Sequence, residues 1–251
     1  SSKPDCIIHL AVYNGNIAFN LANPTDIYFN TGVLALNVLR SAELCKVPRV
    51  LTAISSCAYP DLSGEIEEKD FWNGLPNSTV DCHGLSKRIL DGYGMQLKKR
   101  GMNYTSCIIN NSFGPYDSID LNKTKVLTAL IVRFLTAIKN KDEEIICWGD
   151  GSAIREFIYA KDVAKCFEQI IPLTVDRINL SSNFEISIKD LAEKIKHLTG
   201  FSGKINWDTT KPNGQAQKKL STKLMKELIN IEFTDVDVAL KETIEWVKYQ
   251  L

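Results

Sequence analysis

The sequence predicts an α/β fold, in which a doubly wound parallel sheet is followed by a smaller C-terminal α/β domain. Three apolar runs, "CIIHLAV" (6–12), "RVLTAIS" (49–55) and "YTSCIIN" (104–110), have the length and continuous hydrophobicity of strands buried on both faces. Stretches with helical spacing separate these runs, which indicates crossover helices between parallel strands. After "FGPYD" (113–117) the pattern changes to shorter elements, which predicts the second domain.

The helices are predicted from apolar spacing and from the residues at their ends. Residues 23–47 have apolar side chains at helical spacing, and Asn23-Pro24 is a plausible start. Residues 79–100 are predicted to form a long helix that ends before Gly101. Further elements are predicted as helices at 125–139, from Lys161, near 187–199, at 217–230 and at 235–249, and as strands at 143–149, 156–160, 177–181 and "KINWD" (204–208).

These elements divide the chain near residue 115. Residues 1–115 are predicted to form the parallel-sheet domain. Residues 116–251 are predicted to form mainly the second domain, with part of 143–180 returning to the first sheet.

Composition excludes several classes of partner. Thirty basic and thirty acidic residues cancel, so no overall field attracts nucleic acid or an anionic membrane. No apolar run reaches the roughly 18 residues of a membrane-spanning helix. The seven cysteines are scattered without a Cys-x-x-Cys pair, which favours a reducing compartment and neither a disulfide framework nor a metal site. We therefore expect a cytoplasmic location.

Six short motifs occur in a recognisable order: "HLA" (9–11), "SSCAYP" (55–60), "GLSK" (84–87), "NNSFGPYD" (110–117), "WGDGSAIREFIYAKD" (148–162) and "DTTKPNGQAQKK" (208–219). Together they resemble the extended short-chain dehydrogenases, which are NAD(P)-dependent epimerases, dehydratases and reductases of sugar nucleotides. The resemblance is strongest to the GDP-L-fucose synthase family. It implies that residues 1–115 form part of a Rossmann-like dinucleotide-binding domain and that residues 116–251 form mainly the substrate-binding domain. It further implies NADP(H) as cofactor, a GDP-sugar as substrate, and a homodimer or a larger assembly.

Members of that family epimerise a GDP-4-keto-6-deoxymannose at two carbons and then reduce its ketone. The resemblance implies that Ser55 binds the keto oxygen and that Cys57 and Lys125 occupy the two proton-exchange positions; the family has a His where Lys125 stands. Ser55 also fits a loop cap, with Ser56 as the alternative donor, and Cys57 also fits a small buried side chain.

The fourth and fifth catalytic positions lie on the long helix. Lys87 matches the family Lys that binds the nicotinamide ribose and lowers the pKa of a Tyr four residues before it. Here that Tyr is replaced by His83. A His is shorter, and a neighbouring cation disfavours imidazolium. We therefore expect reduced or lost reductase activity. Without the surrounding motifs, Lys87 would be interpreted as a solvated helix residue.

The cofactor-binding positions implied by the resemblance are His9, Leu10, Ala11 and Lys87. The family's Gly-rich pyrophosphate turn is not found, and the first glycine is Gly15. In the family, roughly 60 residues at about 30 per βα unit precede the "HLA" motif. We therefore expect a sheet that lacks its first βαβ units, and weak binding of NADP(H) by this chain alone.

Arg133, Arg155 and Lys218 match family positions that face the diphosphate of the sugar nucleotide, and Asn111 fits the substrate-contacting end of a strand. Arginine suits a diphosphate because its planar fork donates two parallel hydrogen bonds. The alternative for each basic residue is an ordinary solvated side chain.

Two classes of function therefore remain. The first is an NADP-dependent nucleotide-sugar epimerase/reductase with impaired activity. The second is a pseudoenzyme, which would serve as a nucleotide-sugar-binding or structural subunit of an assembly.

Overall fold

Strands and helices alternate through the first half of the chain in the computed structural model, which describes residues 3–62, 64–210 and 217–251. The strands are β1 (Cys6–His9), β2 (Arg49–Ser55), β3 (Glu65–Ile66), β4 (Asn103–Ile109), β5 (Asn111–Phe113), β6 (Glu144–Trp148), β7 (Ile154–Tyr159), β8 (Arg177–Leu180), β9 (Phe184–Ser187), β10 (Lys204–Asp208) and β11 (Lys219–Leu220). The α-helices are α1 (Ile17–Ala22), α2 (Pro24–Leu44), α3 (Asp81–Lys99), α4 (Val126–Asn140), α5 (Ala160–Ile170), α6 (Ile188–Thr199), α7 (Lys223–Leu228) and α8 (Val236–Gln250).

The main sheet has the strand order β1-β2-β4-β8, and all its pairs are parallel. Alternate residues of its central strands enter different cores. Val50 and Ile54 pack with the α2 and α3 side chains, whereas Leu51 packs on the opposite face with Phe167 and Ile170 of α5. The sheet is therefore covered by helices on both faces, and this confirms the predicted doubly wound α/β class.

The second half of the chain has its own core between α4, α6 and α8. The small sheets around it pair β6 with β10 and place β7 between β5 and β9. The strand β8 instead lies beside β4 in the main sheet. Consequently residues 177–180 are part of the first sheet although helices and strands of the second half surround them in sequence.

Some elements differ from the sequence prediction. The helix α1 and the short strands β3, β5, β9 and β11 were not predicted. The helix predicted at 217–230 covers only Lys223–Leu228, because Lys219 and Leu220 pair with Glu65 and Ile66 as a strand. Within the described part of the chain, none of the helices combines the length and the apolar character that crossing a bilayer requires.

Candidate active site

The candidate site lies where β1 and β2 end beside the start of α3. His9 is the last residue of β1, and Ser55 is the last residue of β2. A short 3-10 helix (Ser56–Ala58) follows β2, and α3 packs directly on it at Gly84. A Cβ atom at Gly84 would lie 2.4 Å from the Cys57 carbonyl oxygen, so only glycine permits this approach. The carboxyl ends of parallel strands are where α/β sheets bind ligands.

His83 is a buried neutral ring on α3. The residue is only 4% exposed, and the Nε2 atom of its ring lies 3.3 Å from Nδ2 of Asn14. Its Nδ1 has no hydrogen-bond partner among the described residues. Burial, and then the charges of Lys125 and Lys87, lower the pKa of His83 to about 3. The ring is therefore uncharged at neutral pH.

Lys87 lies one turn further along α3 and is also buried. Its Nζ donates a hydrogen bond to the Ala53 carbonyl oxygen in β2, at 2.9 Å. Burial lowers the pKa of Lys87 to about 8. Burial and the charge of Lys87 together lower the pKa of His9 to about 4. Lys87 is thus electrostatically coupled to rings on both β1 and α3.

Cys57 is half-buried and has three basic residues within electrostatic reach: Lys125, Arg155 and Lys218. Burial lowers the pKa of each of these cations, and a thiolate at Cys57 opposes that shift. The Lys125 ammonium donates to the Gly15 carbonyl oxygen, and Lys218 Nζ donates to the Ser56 carbonyl oxygen at 3.2 Å. We call Cys57 and these three residues the thiol–cation cluster.

Two serines sit beside this cluster. The Ser55 Oγ accepts a hydrogen bond from the Cys57 backbone N–H at 3.2 Å, which leaves the hydroxyl hydrogen of Ser55 unused by that contact. The Ser56 hydroxyl donates to Oδ1 of Asn110 at 3.1 Å and is buried. Ser55 is consequently better placed than Ser56 to donate a hydrogen bond to a ligand.

Eight of the sequence-derived site residues therefore lie around the strand ends and the thiol–cation cluster: His9, Ser55, Cys57, His83, Lys87, Lys125, Arg155 and Lys218. The other four lie elsewhere or are engaged differently. Asn111 in β5 donates to the Glu156 carbonyl oxygen at 2.9 Å, and Arg133 on α4 donates to the Ile146 carbonyl oxygen at 3.2 Å. Leu10 and Ala11 are exposed after the end of β1.

Sequence reasoning missed Asn14, Gly84 and Glu156. Asn14 contacts His83 across 69 residues of chain, so no local pattern marks it. Gly84 stands inside the "GLSK" motif, but its close approach to Cys57 appears only in three dimensions. Glu156 is a buried carboxyl group that accepts hydrogen bonds from Asn110 and from the Leu220 backbone, and burial raises its pKa.

The described residues fit one end of a dinucleotide. The Nε2 atom of His9 is buried without a partner among them, and the Lys87 ammonium lies nearby. Both are polar groups that a ribose hydroxyl could satisfy. No described group of three or more His, Cys, Asp and Glu side chains is arranged to hold a metal ion.

Comparisons with known proteins show which proteins this chain is similar to. A sequence model of the NAD dependent epimerase/dehydratase family matches residues 1–180. GDP-L-fucose synthase of Dictyostelium discoideum is 30% identical, with 97% of this chain and 78% of that protein covered. GDP-L-fucose synthase 1 of Arabidopsis thaliana is also 30% identical, with 97% and 77% covered. A crystal structure of a GDP-L-fucose synthetase from Naegleria fowleri bound to NADP superposes with a TM-score of 0.90 at 26% identity, covering 99% of this chain and 78% of that one.

Proposed function

The chain belongs to the NAD dependent epimerase/dehydratase family, in the group similar to GDP-L-fucose synthase, and we propose that it epimerises and reduces a GDP-linked 4-keto sugar with NADPH. One observation carries the proposal: Cys57 lies within electrostatic reach of Lys125, Arg155 and Lys218. Such a cluster offers both a proton-exchanging thiol and cations for a diphosphate.

In this proposal, the keto oxygen is held by Ser55. Its hydroxyl hydrogen is not used by the contact with Cys57, so it can donate to a carbonyl oxygen at the end of β2. A donor aimed at an oxygen that gains negative charge stabilises the enolate formed during epimerisation.

Cys57 and Lys125 are the proposed pair for epimerisation. Cys57, as a thiolate, takes a proton from a carbon beside the ketone and leaves an enolate. The Lys125 ammonium returns a proton to that carbon from the other face, which inverts its configuration. Burial lowers the pKa of Lys125, and a lysine with a lowered pKa exchanges protons more readily near neutrality.

Lys87 and His9 would hold the nicotinamide-ribose end of the cofactor. When bound, NADPH supplies the hydride that reduces the keto carbon. Arg155 and Lys218 would neutralise the diphosphate of the sugar nucleotide. The family resemblance also implies Arg133 for the diphosphate and Asn111 for the substrate, but in this structure their side chains bond the carbonyl oxygens of Ile146 and Glu156. Removing partly buried cations from water costs free energy that an anionic ligand would offset.

The test separates epimerisation from reduction. The chain is incubated with GDP-4-keto-6-deoxymannose in D2O, with and without NADPH, and deuterium in the sugar and NADPH absorbance are followed. We expect deuterium at carbons next to the ketone, and less of it in a Cys57→Ala variant. If the chain binds the GDP-sugar but shows neither deuterium exchange nor NADPH oxidation, the proposed activity is contradicted.

His83 favours a second candidate, a nucleotide-sugar-binding pseudoenzyme. A ring whose pKa is about 3 cannot deliver a proton as imidazolium at neutral pH, so the step that Tyr performs in the family has no matching acid at position 83. In that case the chain binds GDP-sugars and turns none over.

We further propose that the chain forms a homodimer through the outer face of α2. Phe29, Val33 and Leu36 are exposed at helical spacing on that face, and Phe29 is 67% exposed. An exposed apolar stripe of this kind is typical of an interface, and a second copy offers the matching stripe about a twofold axis. Light scattering should give twice the monomer mass, and the monomer mass for Phe29→Glu; a monomeric wild-type chain would contradict the proposal.

A further inference from the structure

The tautomer of His83 can be derived from its neighbours. The Asn14 Oδ1 accepts a hydrogen bond from the Gly15 backbone N–H at 2.8 Å. Turning the amide over would place its NH2 group against that N–H, donor against donor. The Asn14 Nδ2 therefore faces Nε2 of His83 as a donor, and Nε2 must accept. A neutral ring that accepts at Nε2 carries its proton on Nδ1.

The segment that carries Asn14 is itself held in place. Tyr13 exchanges two backbone hydrogen bonds with the Thr31 hydroxyl, at 3.3 and 3.0 Å. The Gly15 N–H also donates to the buried Asn20, and the Gly15 carbonyl oxygen accepts from Lys125. Asn14 is therefore a fixed donor to the ring.

The proton on Nδ1 has no acceptor among the described residues, although the residue is only 4% exposed. A buried N–H without a partner has lost its hydrogen bonds to water and gained none in return, which is unfavourable. That cost is recovered if a bound ligand supplies an oxygen. Among the described residues, the charged groups within electrostatic reach of the ring are Lys125 and Lys87, both cations, so an electron-rich oxygen suits this position.

We propose that Asn14 is a positioning residue that holds His83 as the neutral Nδ1–H imidazole, and that this ring donates a hydrogen bond to an oxygen of the sugar nucleotide. The inference rests on the proposed function for the identity of the ligand. The ring keeps its proton throughout, so it polarises a carbonyl group without acting as a general acid. Neutral imidazole is known to work in this way in other enzymes.

The ring's protonation can be measured without substrate. The chain contains only three histidines, so nitrogen NMR of histidine-labelled protein, assigned with a His83→Gln variant, resolves this ring. We expect His83 to carry its proton on Nδ1 and to stay neutral from pH 8 to pH 5. A proton on Nε2, or titration within that range, would overturn the proposal.

Two isosteric variants separate the effect of the hydrogen bond between Asn14 and His83 from the effect of an added negative charge nearby. Asn14→Asp places an acceptor against Nε2, so we expect a proton on Nε2 and a raised pKa. Asn16→Asp adds the same charge two residues away, where Asn16 caps α1 and bonds Phe19, and should leave the His83 signals unchanged. Equal spectra for both variants would overturn the role of Asn14; if Asn14→Asp fails to fold, the wild-type spectrum alone decides.

The donor role is tested by adding GDP-4-keto-6-deoxymannose or GDP to the labelled chain. We expect the Nδ1–H signal to move downfield with the keto sugar and not with GDP. Binding of the keto sugar without that shift overturns the donor role alone. Failure of the keto sugar to bind overturns the donor role together with the proposed function, whereas the tautomer of the free chain is decided independently.

Discussion

At position 83, burial and charge act together on one ring. His83 packs inside α3, where Lys125 and Lys87 are the cations within electrostatic reach, and its pKa falls to about 3. Desolvation and repulsion by these lysines would therefore both destabilise a protonated ring. A phenol at the same place would respond oppositely, because a neighbouring cation stabilises its ionised form and makes its proton easier to release.

The first prediction follows from this difference between a histidine and a tyrosine beside a cation. His83→Tyr should raise NADPH oxidation with the keto sugar by roughly 100-fold, the lower range of general acid catalysis. His83→Phe is the matched control, because it has the ring of Tyr without the hydroxyl and should show no gain. Thermal melting of both variants checks for overpacking. Equal rates for the Tyr and wild-type chains would mean that proton supply at position 83 does not limit reduction.

The second prediction concerns Arg155 in the thiol–cation cluster. Arg155→Ala should weaken binding of GDP-mannose by about 1.5–3 kcal/mol, because a charge-assisted contact to the diphosphate is lost. Arg100→Ala removes an exposed arginine that pairs with Glu43 at the surface and should leave the affinity unchanged. Calorimetric titration of both variants measures the difference. Similar affinities for the two would remove Arg155 from the nucleotide subsite.

The residue types of the site could be predicted from the sequence, but their protonation and their hydrogen-bond partners could not. The motifs pointed to Cys57, Lys87 and Arg155, which the fold brings to the strand ends. Desolvation, the largest cause of the low pKa of His83, depends on tertiary packing. The Asn14 contact depends on a segment 69 residues away, so it leaves no trace in local spacing.

At the scale of elements, the site depends on how closely α3 approaches the end of β2. Gly84 allows the helix backbone to lie against the Cys57 carbonyl group, and Lys87 then reaches the Ala53 carbonyl oxygen. This contact sets the distance between α3 and the end of β2. The helix also carries Gly92, where added volume meets only ordinary contacts: a Cβ there would lie 3.9 Å from the Trp72 ring.

The third prediction compares these two glycines. Gly84→Ala should destabilise the chain by about 1–3 kcal/mol, since the methyl group must push α3 away from Cys57. Gly92→Ala should instead stabilise it by about 0.5–1 kcal/mol, because alanine is the better helix former. Urea unfolding of both variants gives the two free energies. Stabilisation by Gly84→Ala would show that the helix can shift freely.

Long elements were predictable because their periodicity extends over many residues. The strands β2 and β4 and the helices α2, α3 and α4 agree with the sequence prediction to within a few residues at each end. The two-residue strands β3 and β11 were missed because their pairing depends on contacts between residues 65–66 and 219–220. Too few residues take part to produce an alternating pattern.

At the scale of the whole molecule, burial of two histidines links stability to pH. His9 and His83 each have a folded pKa, about 4 and about 3, below the ordinary value of 6.5. The unfolded chain therefore binds protons at higher pH than the folded chain does. Their contribution to stability is fully present above pH 6.5 and is lost as the pH falls towards these folded values.

The fourth prediction puts a magnitude on this loss. Between pH 7 and pH 5 the buried ring of His83 should remove about 2 kcal/mol from the free energy of unfolding, because one pKa unit corresponds to about 1.36 kcal/mol. His83→Gln should therefore lose about 2 kcal/mol less than the wild type over this interval. Urea unfolding at both pH values measures the difference, and carboxyl groups that titrate in both chains cancel from the comparison.

The control for this prediction is the third histidine, His197, which lies exposed in the last turn of α6. His197→Gln should keep the full pH sensitivity of the wild type, because it removes an exposed side chain and leaves both buried histidines in place. If His83→Gln and His197→Gln lose equal free energy between pH 7 and pH 5, then His83 is protonated in the folded state. That result would also contradict a neutral ring at the strand ends. The predicted loss of stability at low pH and the hydrogen bond proposed for His83 both require that this ring stays neutral in the folded chain.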